Sequence, residues 1–132
     1  MTATETNKLI ALRIAKSKKT LFEAEQIFKF QLYEASINRI FYSCFYMVSA
    51  LLLKTGKDPK THSGVRKLFH QYFVGKNLLS EKLISFFMEI SELRGDADYE
   101  FENNFNEAIT KENLETAKNF IAAIEKLISE AT

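Results

Sequence analysis

Between Ile40 and Leu53 the chain reads Ile-Phe-Tyr-Ser-Cys-Phe-Tyr-Met-Val-Ser-Ala-Leu-Leu-Leu, a run that is apolar on almost every side when wound into a helix. A helix that is apolar all round has to be covered all round. At roughly 1.5 Å per residue the run is about 21 Å long, short of a ~30 Å hydrocarbon layer. Arg39 and Lys54 bracket it. It is therefore expected to be a central buried helix and not a membrane span. A four-helix bundle covers such a helix only in part, so the run also predicts a homodimer that buries the rest.

The remainder of the chain supplies the cover. Ile10, Ile14, Ser17, Leu21, Ala24 and Phe28 recur at helical spacing, with Lys8, Lys16, Lys19 and Glu23 on a face that suits water. The second helix runs from about Tyr33 to Lys54 and ends at Gly56, a residue that tolerates a left-handed cap. A loop containing Pro59 precedes a short helix from about Ser63 to Phe73, closed by Gly75. Ser80 is an N-cap for a helix carrying Leu79, Leu83, Phe86, Ile90 and Leu93, which should persist to about Asp98. Tyr99 to Ala108 lack a period and read as a loop. Thr110 is expected to cap a last helix with the stripe Leu114, Ala117, Ile121, Ile124 and Ile128. Only four Gly and one Pro occur in 132 residues, too few turn formers for many short strands. The expected fold is all-α: one domain, residues 1–132, as an up-and-down four-helix bundle with an additional short helix.

Charge and cysteine usage narrow the function classes. Eighteen basic and seventeen acidic residues give +1, so no large net field draws in a polyanion, and any nucleic-acid site must be a local patch. The lone Cys44 excludes an intrachain disulfide and a cysteine-rich zinc site, and is expected to be a small core hydrophobe. The N-terminal residues show no basic start followed by an apolar run, which reads as a cytoplasmic protein. No cofactor motif and no metal-ligand spacing is present: His62 and His70 do not form a zinc pattern. The acids near Asp96 lack the glycine a calcium loop needs, because Phe101 stands there.

One polar stripe crosses the apolar helix. Asn38, Tyr42 and Tyr46 follow at four-residue steps, and Arg39 and Tyr46 lie two turns apart on nearly the same face. A guanidinium among that much aromatic surface needs a carboxylate, a phosphate or water for its donors. Two readings follow from residue types. In one, Arg39 pairs with an acid across the bundle, Asp96 or Asp98, and the tyrosines simply pack. In the other, Arg39 faces a ligand, with Asn38 orienting it and Arg94, Asp96 and Asp98 closing the site from the fourth helix. Arg66 and His70, one turn apart, could hold a phosphate, though a solvated helix face also explains them.

Ala35-Ser-Ile-Asn-Arg-Ile-Phe-Tyr-Ser-Cys-Phe-Tyr, Ala50-Leu-Leu-Leu, Lys60-Thr-His-Ser-Gly and Leu93-Arg-Gly-Asp-Ala-Asp-Tyr together resemble the HEPN domain (higher eukaryotes and prokaryotes nucleotide-binding), in order and over essentially the whole chain. The resemblance implies a dimeric helical bundle that binds RNA or a nucleotide and works beside a minimal nucleotidyltransferase as a toxin and antitoxin pair. Many members resemble one another in being metal-independent ribonucleases, with an Arg followed on the same helix by a His. The Arg holds the scissile phosphate and the His moves protons. This chain keeps Arg39 and has Tyr46 where that His belongs. A phenol of ordinary pKa near 10 is a poor general base yet can donate a hydrogen bond. The resemblance thus implies Arg39 and Tyr46 as the central pair, in an RNA- or nucleotide-binding protein, a weak ribonuclease, or a purely structural partner subunit.

Overall fold

A computed structural model describes the backbone of residues 1–99 and 105–131, and the side chains of residues 1–92 and 105–131. Among the described residues five helices form: α1 (Ala3–Lys29), α2 (Tyr33–Lys54), α3 (His62–Phe73), α4 (Glu81–Tyr99) and α5 (Glu107–Glu130). Their ends follow local chemistry. Thr2 and Glu5 make a reciprocal capping box, each backbone N–H donating to the other's side chain at 3.1 Å, so α1 starts at the very beginning of the chain. At the end of α2, Gly56 sits at φ 88° and the Lys57 N–H reaches back to the Leu52 carbonyl at 2.9 Å, the Schellman closure that the glycine predicts. Gln31 makes the same left-handed turn, at φ 64°, without a glycine's freedom. Only Phe30 to Leu32 separate α1 from α2, so α2 must run back along α1.

The α1/α2 seam is built from small residues. Ser17, Ala24, Ser36 and Ser43 are fully buried. The Ser17 hydroxyl donates to the Ser43 carbonyl at 2.6 Å, and the Ser36 hydroxyl donates to the Ala24 carbonyl at 2.9 Å. Seven residues forward on α1 correspond to seven residues back on α2, so both bonds belong to one antiparallel register. Arg13 adds a third tie, donating to Asp58 at 2.9 Å and to the Ser49 carbonyl at 3.3 Å. The hydrogen bond from Lys60 holds the Asp58 carboxyl below the usual carboxylate range, against the opposing effect of burial, and the hydrogen bond from Arg13 adds to the lowering.

α2 touches α1, α3, α4 and α5. Ile37, Ile40, Cys44, Met47, Val48, Leu51 and Leu52 are buried within one chain. One expectation changes accordingly. The full helix has 22 residues, or about 33 Å, long and apolar enough to cross a membrane by length and composition. What marks it as a core helix is burial, since 72% of its most apolar window is enclosed by the other helices. α3 adds to the cover that the other helices give, and one sector of α2 stays half-buried at the surface. Beyond α2, Phe69, Phe87 and Phe120 join α3, α4 and α5, with Phe69 to Phe87 centroids 4.5 Å apart and Phe87 stacked on Phe120 at 5.5 Å.

Ser80 caps α4 as expected, accepting from the Leu83 N–H at 3.2 Å. The last helix starts a turn earlier than Thr110: Asn106 accepts from the Ile109 N–H at 2.9 Å, and Thr110 is buried inside α5. Asparagine is among the best N-caps, and it satisfies the first-turn donors before Thr110 is reached. Of the expected Tyr99 to Ala108 loop, Tyr99 instead closes α4 and Glu107 and Ala108 open α5, while residues 100–104 and the Leu93 side chain lie outside the described residues.

Cys44 is fully buried, and burial pushes its thiol up to about 12. The native protein at pH 8 is therefore expected to resist a thiol-specific reagent until it unfolds, so labelling followed by mass spectrometry across a urea series should track the unfolding transition. Ser17→Ala should cost about 1 kcal/mol in denaturant melts by removing a buried hydrogen bond, and Ser17→Leu should cost about 1–3 kcal/mol by wedging α1 from α2.

Candidate functional site

The seam register decides what stands beside the polar stripe. On α1, Lys16 and Glu23 are the neighbours of Ser17 and Ala24. On α2, Tyr46 and Arg39 are spaced in the opposite sense by the same seven residues. The Lys16 ammonium accordingly lies 4.7 Å from the centre of the Tyr46 ring, and Glu23 Oε1 lies 3.8 Å from Arg39 Nη1. At about 100° per residue, Arg39, Tyr46, Tyr42 and Phe45 occupy a sector of about 120° on α2. All four are half-buried. This is the part of α2 that the other helices leave in contact with solvent.

Arg39 is held loosely. Its Cζ stands 5.2 Å from the Tyr42 ring centre, a cation–π placement. Its Nη2 donates to the Asn38 side chain at 3.3 Å. Both this bond and the 3.8 Å approach of Glu23 are longer than a strong charge-assisted bond. With side chains 32% and 43% exposed, the Arg39–Glu23 pair is a surface ion pair worth at most about 1 kcal/mol. A guanidinium stacked on an aromatic face and weakly tied at its edge can present its fork to a phosphate.

Among the described residues, the acid beside Arg39 comes from α1. The sequence pattern assigned Glu23 to a water-facing surface; in the fold it is half-buried against α2. Arg94, Asp96 and Asp98 fall on the last turns of α4, and their side chains lie outside the described residues. Tyr42 and Tyr46 are adjacent, with ring centres 6.0 Å apart.

The residue that sequence reasoning missed is His62. Thr61 caps α3 by accepting from the Gly64 N–H at 3.0 Å, which makes His62 the first residue of the helix. Its ring packs edge-on at 4.8 Å from Phe45, 5.6 Å from Phe41 and 5.7 Å from Tyr42. The aromatic stripe is therefore bordered by α1 on one side and by an imidazole from α3 on the other. A Thr-X-X-Gly cap signal was present in the sequence, but only the packing of α3 on α2 brings His62 to Tyr42. Arg66 and His70 separate: Arg66 bridges to Glu92 of α4 at 2.6 Å, while His70 is exposed.

Residues 10–127 match the HEPN domain family. The chain is 34% identical over 126 residues to a UPF0332 protein of Thermotoga maritima, covering 96% of each. It is 39% identical over 87 residues to the protein named "Putative toxin MJ0142" of Methanocaldococcus jannaschii, covering 66% of this chain and 59% of that one. A second protein of that organism, named "Putative toxin MJ0605", is 30% identical over 114 residues, covering 86% of this chain and 84% of its own length.

If the Arg39–Glu23 contact were a structural ion pair, removing the carboxylate would destabilise the bundle strongly. The geometry predicts otherwise: Glu23→Gln should change the free energy of unfolding by less than about 1 kcal/mol in urea melts.

Proposed function

This chain belongs to the HEPN domain family, of the toxin–antitoxin type, and on that premise we propose that it binds single-stranded RNA across the exposed sector of α2. The observation that carries this reading is the stripe itself: Lys16 over Tyr46, Tyr46 beside Tyr42, and Arg39 over Tyr42. Cations interleaved with aromatic faces suit a single strand, because phosphates pair with the cations while unstacked bases lie on the rings. The near-zero net charge fits a local contact and not a general affinity for polyanions.

In this reading Arg39 takes the phosphate. Among the described residues its polar partners are ones that a phosphate replaces easily: a long bond to a neutral amide and a partly solvated carboxylate. Tyr42 and Tyr46 supply stacking surface, and the Tyr46 phenol donates a hydrogen bond instead of accepting a proton. The protein then works by holding the strand more than by cutting it. Arg94, Asp96 and Asp98, on the last turns of α4, are proposed to belong to the same site. A homodimer meeting along this sector would place two stripes face to face, and a nucleotidyltransferase is the partner that the family likeness suggests.

Fluorescence anisotropy with a labelled single-stranded RNA tests this. Arg39→Ala is expected to weaken binding at least about tenfold and to flatten the salt dependence by about one phosphate contact. Tyr42→Leu should weaken it by about 1–3 kcal/mol, equivalent to the loss of one stacked base. Wild-type protein that does not bind RNA, or a folded Arg39→Ala variant that binds as well as wild type, overturns the proposal.

A further inference from the structure

Charge is segregated along the chain. Between Glu34 and Glu81 stand seven Lys and Arg residues and a single acid, Asp58, whereas from Glu81 onward there are five cations and twelve acids. The net charge of +1 is therefore a cancellation between regions of opposite sign, and such regions create local fields that the total does not report. Most of the basic segment belongs to the connection between α2 and α3 and to α3 itself, which carries no carboxylate.

The fold brings that segment to the stripe. After Gly56 the chain turns back along α2: Asp58 is bonded to Arg13, which also donates to the Ser49 carbonyl, and four residues later His62 packs on Tyr42 and Phe45. Tyr46 lies between those two levels on α2, so the connection runs beside the Tyr46 end of the stripe. Lys60 stands on this connection with its side chain 82% exposed. Asp58 is shared by Arg13 and Lys60, so it offsets only one of these two cations. Lys57 and Lys67 are exposed, and among the described residues neither has an ion pair. Lys67 lies on the outer face of α3, about 7.5 Å along the axis from His62 and turned away from the buried Val65, Phe69 and Phe73. Arg66 adds little, since Glu92 already holds its guanidinium at 2.6 Å.

We propose that the α2–α3 connection and the outer face of α3 form a phosphate rail: an RNA strand stacked on Tyr42 and Tyr46 leaves the stripe at its Tyr46 end and passes its next phosphates to Lys57, Lys60 and Lys67. The proposal rests on the RNA-binding reading and extends it from a local contact to a strand with a path. Lysines suit the task, because a point charge on a flexible stem follows a backbone without demanding one geometry. The excess of acids beyond Glu81 disfavours the opposite course, across α5. Continuity with the tyrosine rings favours a nucleic-acid strand over an acidic peptide, which has no bases to stack there.

Fluorescence anisotropy with labelled oligouridylates of about four and about twelve nucleotides tests the path. The longer strand is expected to bind wild type more tightly and with the steeper salt dependence. The triple variant Lys57→Gln, Lys60→Gln, Lys67→Gln should weaken the longer strand at least about tenfold and flatten its salt slope by about two, the value for three single-strand phosphates. The short strand, held by the stripe, should change by less than about twofold. A control variant, Lys82→Gln, Lys111→Gln, Lys126→Gln, removes the same net charge from α4 and α5 and is expected to bind both strands as wild type does. All six lysines are exposed, so both variants should keep the wild-type urea midpoint. Equal losses in the two triple variants, or wild-type affinity and salt slope for the longer strand in the first, overturn the proposal. So does poly-glutamate that displaces the longer strand as well as unlabelled RNA of equal charge. If the short strand binds through Arg39 and added length gains nothing, the rail alone fails. If neither strand binds, the RNA-binding reading fails and takes the rail with it.

Discussion

Two serine hydroxyls set the relation between α1 and α2, and with it the site. Ser17 bonded to the Ser43 carbonyl and Ser36 bonded to the Ala24 carbonyl fix a single antiparallel register, and all four residues of these two bonds are small and buried. Each bond is worth only about 1 kcal/mol net. Their importance lies in being buried and directional, because a slip along the seam would leave polar hydrogens enclosed without acceptors. Lys16 and Glu23 are neighbours of two of these seam residues, so the same register carries the charges of α1 to Tyr46 and Arg39.

The α2 helix divides its circumference between two tasks. Most of it is core, packed on all four other helices, and its thiol is correspondingly unreactive. The remaining sector holds an arginine whose contacts are each individually weak. That combination suits a binding surface: a helix places the guanidinium, a ring packs against it, and among the described residues no partner holds its donors strongly. α3 contributes on the other flank. Its cap at Thr61 begins the helix at His62, and its Arg66 to Glu92 bridge ties it to α4, so the wall opposite α1 is also held in place.

Helical periodicity was enough to place α2 to within a residue, to identify Gly56 and Ser80 as terminators, and to place Cys44 in the core. It fell short where the signal was polar. The Thr2 and Glu5 capping box at the start of α1 lies ahead of the apolar stripe. Asn106 caps α5 a turn before Thr110, because a cap is chosen by its hydrogen bond to the first-turn amides and not by distance to the first apolar residue. Arg39, Asn38, Tyr42 and Tyr46 were legible as one stripe because they share a helix. Glu23 and His62 were not, since each sits on another helix.

The sequence by itself determined the helices and singled out the apolar one that had to be covered, because a period of 3.6 residues and the cost of exposing hydrocarbon act locally along the chain. It also determined that Arg39 and Tyr46 share a face, which follows from helix geometry alone. Only the tertiary structure decided that α3 joins the cover of α2, that Glu23 approaches Arg39 from α1, and that His62 and Arg66 border a cavity beside Tyr42. Those outcomes depend on which helices meet and in what register, and register is set by bonds between residues far apart in the chain, such as Ser17 and Ser43.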